Sequence, residues 1–146
     1  MPEPAQRPRD ASARRHQRVR KQHSDELAQD YVEAIDALNR SGSSPRVKDL
    51  QRIFGVSHVT VIRALERFER RELIARTPSN GIELTPQGKH MAANAAERHS
   101  LVVDFLRILG VSSAQAHADA EGLEHHFSQE SLDAIRRFIR RRGGPG

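Results

Sequence analysis

The turn Gly55-Val56-Ser57 constrains this chain more than any other stretch. Before it, Arg46 to Phe54 reads as a short helix with Val47, Leu50 and Phe54 inward. After it, a second helix through about Arg70 carries Val61, Leu65 and Phe68 on its inner face, with Ser57 placed as its N-cap. Two short helices joined by a tight turn containing glycine form the helix-turn-helix pattern, in which the second helix enters the DNA major groove by its N-terminal end. The residues available there are Ser57, His58, Thr60, Ile62, Arg63 and Arg67. His58 and Thr60 suit base edges, Ile62 a thymine methyl, and Arg63 or Arg67 a guanine or a phosphate. A helical hairpin with an exposed basic face is the plainer alternative.

The next stretch weighs against that alternative. Between Leu73 and Leu84, two short apolar runs flank a polar turn ending in Asn80-Gly81, a β-hairpin signal. A hairpin directly after a recognition helix is a wing, and Arg76, Ser79 and Asn80 at its tip would meet the DNA backbone or minor groove. Thr85-Pro86 then opens a long helix to about Leu109, ended by Gly110. Ala92, Ala95 and Ala96 keep its first half slim; Val102, Val103, Phe105, Leu106 and Leu109 make its second half a packing surface. Ser112 or Ser113 caps another helix, and Ser128 caps a last one with Leu132, Ile135, Phe138 and Ile139 inward. Upstream, Ser24 can cap a first helix with Leu27, Tyr31, Ile35 and Leu38 as its apolar stripe, ended by Gly42.

One stretch carries chemistry. On a helix, Glu121, Glu124 and His125 fall at i, i+3 and i+4, within roughly 100° of one another. Two carboxylates and an imidazole on one face suit a metal ion, whereas His126 points elsewhere. A polar helix surface with two histidines accounts for the stretch equally well on its own. Asp30 and Glu33 lie together on the flank of the first helix, where an ordinary solvated flank is the simpler reading. His99 would more often be a satisfied core histidine than a ligand, and His90 and His117 read as ordinary.

Composition narrows the classes. The chain has no cysteine, which excludes disulfides, thiolate metal sites and a cysteine nucleophile. No apolar run approaches the roughly 20 residues that cross a bilayer, and the N-terminus has no apolar core segment of a secretory signal, so no membrane partner and a cytoplasmic location are expected. Residues 1–23 hold seven Lys/Arg against Glu3 and Asp10, so the formal excess of +5 sits there. With three prolines and few apolar side chains, this segment is expected to be a disordered basic arm, and residues 143–146 a flexible tail. The expected fold is mainly α with a small β-hairpin wing: a winged helix-turn-helix domain over 24–85 and a helical dimerisation domain over 86–142. The second half offers more apolar surface than three helices bury, which predicts a two-fold homodimer reading two half-sites of a palindromic double-stranded operator.

Residues Ser24 to about Arg142 resemble the manganese transport regulators of the diphtheria toxin repressor family. The marks are Asp30-Tyr31-Val32-Glu33, Arg98-His99 and Glu121-Gly122-Leu123-Glu124-His125-His126. The resemblance implies Asp30, Glu33, His99, Glu121, Glu124 and His125 as metal ligands, with room for two ions per subunit. It also implies a winged-helix dimer that represses manganese-import genes when the metal is plentiful. Carboxylates and imidazoles suit Mn²⁺ or Fe²⁺ rather than Cu⁺. Iron-sensing relatives carry sulfur-bearing side chains at two of these positions; Asp30 and Glu124 stand there here, which favours Mn²⁺. The alternatives are an iron-responsive repressor of the same family, or a winged-helix regulator answering to a small organic ligand. An enzyme is not expected: there is no separate nucleophile or substrate loop, and no small organic substrate is implied.

Overall fold

The structure, a computed structural model, describes residues 8–143. Six helices and one hairpin follow in order: α1 Pro8–Arg40, α2 Val47–Phe54, α3 His58–Arg70, β1 Ile74–Arg76, β2 Ile82–Leu84, α4 Pro86–Ile108, α5 Ser113–Leu123 and α6 Gln129–Arg142. The caps are local chemistry. Ser57, Thr85, Ser112 and Ser128 each accept a backbone N–H of the first turn that follows them, which satisfies a donor the helix itself leaves orphaned. Gly55 ends α2 in the left-handed conformation, φ 63°, which a residue without Cβ adopts at little cost.

The hairpin pairs Ile74 with Leu84 and Arg76 with Ile82 in antiparallel register. In its turn Asn80, not Gly81, takes the left-handed backbone, φ 62°. Gly81 is needed for space: a Cβ there would run into the Ser44 and Thr77 side chains. Gly88, in the first turn of α4, likewise leaves room for the carbonyl of Leu73. That close approach seats α4 against the root of the wing.

The first apolar core joins α1, α2, α3, the hairpin and the start of α4 through Tyr31, Ile35, Leu50, Val61, Leu65, Phe68, Ile82 and Ala92. Tyr31 stacks on Phe54, ring centroids 4.4 Å apart, and tilts against Phe68 at 5.2 Å. A second, smaller core gathers Val102, Val103, Ala116, Ala120 and Leu132 from α4, α5 and α6. α4 therefore runs through both.

Two expectations need correction. First, α1 starts at Pro8, so residues 8–23 are helix rather than a disordered arm, and Ser24 lies inside the helix instead of capping it. The segment buries little, but Ala, Arg, Lys and Gln are good helix formers, and extending an existing helix requires no new nucleus. Residues 1–7 and 144–146, which belong to the expected arm and tail, lie outside the described residues. Second, α5 ends at Leu123. Glu124 is its C-cap and His125 and His126 lie in the following turn, closed by the His126 N–H donating to the Leu123 carbonyl at 3.0 Å. Glu121 and Glu124 keep their helical spacing, and His125 lies beyond the helix, so the three do not share one helical face.

Candidate metal centre and nucleic-acid interface

The end of α5 is a consequence of that turn. Glu124 keeps helical backbone, its N–H donating to the Ala120 carbonyl, so it continues the buried Ala116–Ala120 face and is 4% exposed, while Glu121 stays on the exposed side. Each oxygen of Glu124 faces one imidazole: Oε2 lies 3.0 Å from His99 Nδ1, and Oε1 lies 3.4 Å from His125 Nε2. His99 comes from the middle of α4. The same His125 Nε2 is 3.8 Å from Asp30 Oδ1 on α1. Glu33, one turn along α1, has a buried Oε1 with no hydrogen-bond partner.

The electrostatics follow from this crowding. Burial pushes the Glu33 carboxyl up to about 7, with the Glu124 and Asp30 charges adding to the rise and His99 and Arg98 opposing it. Burial also pushes Glu124 up to about 7; Arg98 pulls the other way, and Asp30 and Glu121 add to the rise. Asp30 is raised by burial as well, against the pull of His125. These carboxyls are short of positive charge. The C-terminal end of α5 adds the negative pole of a helix dipole at the same spot.

Five of the six expected ligands, Asp30, Glu33, His99, Glu124 and His125, are thereby brought together. Glu121 stands at the rim and reaches Asp30 and Glu124 through its charge. The direct contacts are pairwise, and among the described residues no three His, Asp or Glu side chains form a ready-made metal cage. The donor set nevertheless fits a divalent cation of the harder kind. It offers carboxylate oxygens and imidazole nitrogens without sulfur, a buried carboxylate oxygen without a partner, and two carboxyls pushed up to about 7 by burial and by neighbouring carboxylates.

Sequence reasoning missed the residues around this cluster. His117, read as ordinary, has its Nδ1 3.3 Å from His99 Nε2. Gln29 Oε1 accepts from His125 Nδ1 at 2.9 Å. Arg98 stands beside Glu33 and Glu124. The one available signal was position: Gln29 precedes Asp30, Arg98 precedes His99, and His117 lies one helical turn before Glu121. His126 does turn elsewhere, as expected, and meets Gln22 at 3.1 Å on the surface.

The second candidate surface is α3 and the wing. His58, Thr60, Arg63 and Arg67 are exposed on α3, as are Arg76, Ser79 and Asn80 on the hairpin. Ile62 is half-buried. Val59, absent from the expected set, is 55% exposed on the side opposite the core. Ser57 spends its hydroxyl on Thr60, accepting its N–H at 3.2 Å and meeting its Oγ1 at 2.9 Å. A cleft of about 430 Å³ between the start of α2, α3 and the wing is lined by Arg46, Lys48, His58, Ile62, Arg76 and Asn80. Arg46 and Lys48 extend the basic surface from α3 to the wing, a charge pattern suited to phosphates.

Fold and clusters together define a class: winged helix-turn-helix proteins with a carboxylate–imidazole cluster where the first helix meets a second helical half. Residues 85–142 match the family described as iron dependent repressor, metal binding and dimerisation domain. The transcriptional regulator MntR of Escherichia coli O157:H7 is 44% identical over 125 residues, covering 86% of this chain and 81% of the relative. The HTH-type transcriptional regulator MntR of Listeria welshimeri is 35% identical over 107 residues, covering 73% of this chain and 75% of the relative. A solved manganese-dependent transcriptional repressor in complex with manganese superposes with a TM-score of 0.68 at 28% identity, covering 77% of this chain and 52% of the other. The chain thus spans about half the length of that solved relative. The chain belongs to the diphtheria toxin repressor family, on its manganese transport regulator branch.

Proposed function

We propose that this protein is a manganese-responsive, DNA-binding transcriptional regulator: a cytoplasmic homodimer that represses manganese-uptake genes when Mn²⁺ occupies the cluster. The observation that carries this reading is Glu124, a buried carboxylate flanked by two imidazoles and pushed up to about 7. The relatives' names support the metal and the role, and transcriptional regulation is not an enzymatic function.

Asp30, Glu33, His99, Glu121, Glu124 and His125 are the ligands in this reading, enough donors for two ions. Bound Mn²⁺ supplies the positive charge that four carboxylates in one place lack. Oxygen and imidazole donors without thiolate favour Mn²⁺ over later metals only through geometry and coordination number, since raw affinity runs the other way. Asp30 and Glu33 sit on α1, which is part of the first core; Glu121, Glu124 and His125 sit at the end of α5; His99 sits on α4 between the two cores. Without a cation, repulsion among the carboxylates works against the contact of α1 with the α5–α6 turn. With their charge neutralised, the first half is held in one orientation, and the two α3 helices of a dimer keep a fixed separation. Half-sites of a palindromic operator one DNA turn apart, roughly 34–36 Å, then fit both. Ser57, His58, Thr60, Ile62, Arg63 and Arg67 face the major groove, with Val59 added; Arg76, Ser79 and Asn80, with Arg46 and Lys48, face the backbone.

The test is a Mn²⁺ titration of chelator-stripped protein, read as loss of the free-ion electron paramagnetic resonance signal, alongside DNA binding with and without metal. Saturable binding of one or two ions per subunit, lost in Glu124→Ala, is expected. By linkage, operator DNA should tighten Mn²⁺ binding by the same factor that Mn²⁺ tightens DNA binding, typically about 5–150-fold. Equal operator affinity with and without Mn²⁺ would sink the reading.

A further inference from the structure

Gln22 and Gln29 lie seven residues apart on α1, two turns along one face and about 10 Å apart. They meet two consecutive histidines of the α5–α6 turn: Gln22 Nε2 is 3.1 Å from His126 Nδ1 at the surface, and Gln29 Oε1 is 2.9 Å from His125 Nδ1 in a partly buried setting. The inner of these contacts has a chemical consequence. An amide oxygen accepts, so His125 Nδ1 carries a proton, and in the neutral ring Nε2 keeps its lone pair. That lone pair faces Glu124 Oε1 at 3.4 Å and Asp30 Oδ1 at 3.8 Å. With the ring neutral and both carboxyls ionised, Nε2 meets each oxygen as acceptor against acceptor, pairs that a cation rather than a hydrogen bond completes. Were the proton on Nε2 instead, the ring would donate to Glu124 and the demand for a cation would fall.

We propose that Gln29 is a positioning residue for the metal centre: its side-chain oxygen fixes His125 in the Nδ1–H tautomer and turns Nε2 toward Asp30 and Glu124. The inference rests on the metal-sensing reading for its purpose, but not for its geometry. Gln29 holds the ring of a ligand without touching the ion, as the hydrogen-bond partners of ligating histidines do generally. It does so from α1, so the same contact joins the first helix to the α5–α6 turn. The partner is neutral, so it sets the ring's orientation without adding charge to a cluster already crowded with carboxylates.

The test compares wild type, Gln29→Ala and Gln29→Glu in the full chain, with two readouts. In metal-free protein, long-range proton–nitrogen correlations of labelled histidine report the His125 tautomer. Wild type and Gln29→Glu are expected as Nδ1–H, because both offer an acceptor oxygen; Gln29→Ala is expected to shift toward Nε2–H, donating to Glu124. In Mn²⁺ titrations Gln29→Ala should bind about 10-fold more weakly or worse, and Gln29→Glu within about threefold of wild type. An unchanged tautomer in Gln29→Ala overturns the proposal. So does a Gln29→Glu variant that is folded yet as weak as Gln29→Ala, because the loss would then come from packing. If wild type binds no Mn²⁺, the metal-sensing reading fails, and the tautomer comparison still decides the role of Gln29.

Discussion

The two cores of this molecule are unequal. The first closes on itself: Tyr31, Ile35, Leu50, Leu65, Phe68 and Ile82 are all essentially inaccessible, drawn from three helices and a hairpin that interlock. The second has two alanines among its five buried residues, and Leu101, Leu106, Val111 and Phe127 pack on it only partly covered. Around it, Leu109 is 60% exposed, and Phe105 and Phe138 meet edge to face at 5.9 Å while each remains half-buried. The first half closes its core with the start of α4, whereas the second has apolar surface for a partner copy to cover. The carboxylate–imidazole cluster lies at the seam, so its ligands answer to both halves.

The sharpest way to break this comparison is to empty each core in turn. Phe68→Ala should cost about 3–5 kcal/mol, read from urea unfolding, because its site is closed on all sides. Leu132→Ala should cost less, since its neighbours are part-exposed and can collapse; a larger loss from Leu132 would reverse the ranking. Next, Leu109→Asp should shift the protein from dimer to monomer in sedimentation velocity while leaving the helical signal intact. A dimer that survives the change would show that the exposed apolar end of α4 is not what the partner covers.

A third test addresses the seam. Glu33 and Glu124 are both pushed up to about 7, so protons compete with metal there, and Mn²⁺ affinity should climb between pH 6 and pH 8 by up to about tenfold per pH unit for each proton displaced. The metal-free fold should respond in the opposite sense. Between the ordinary carboxyl range and about 7 the native state binds more protons than the unfolded chain, so stability is lost as pH rises through that window. Thermal melts of chelator-stripped protein at pH 5 and pH 8 check this, and a higher melting temperature at pH 8 would contradict it. The smallest expected effect is Ser57→Ala, which removes the cap of α3 and should cost about 1 kcal/mol in unfolding experiments.

What was legible in the sequence was what local chemistry dictates. Ser57, Thr85 and Ser128 announce their helices because a capping oxygen acts within three residues, and Asn80-Gly81 announces the hairpin for a similar reason. The helical continuation of α1 back to Pro8 was not legible, because it has no apolar stripe to show periodicity. Only the propensity of its residues argues for it. The end of α5 was equally hidden: Ala120 to His126 contains no proline, and its one glycine, Gly122, lies inside the helix. The inward face of Glu124 follows from its i+4 spacing to Ala116 and Ala120, but its partners on α1 and α4 lie outside any window of local sequence. The same holds for Gln29 and His117, whose importance lies in contacts 96 and 18 residues away.

α1 is one unbroken helix of 33 residues, a rod of about 50 Å at 1.5 Å per residue. Asp30 and Glu33 grip it at the cluster, Gln22 still meets His126, and beyond Gln22 toward Pro8 it projects for about 21 Å by the same rise. Mechanically this is a lever with its fulcrum at the seam. A tilt of roughly 5° there sweeps the far end, about 33 Å from Asp30, through about 3 Å, so the projecting arm is a pointer on which a small adjustment at the carboxylates becomes large enough to measure.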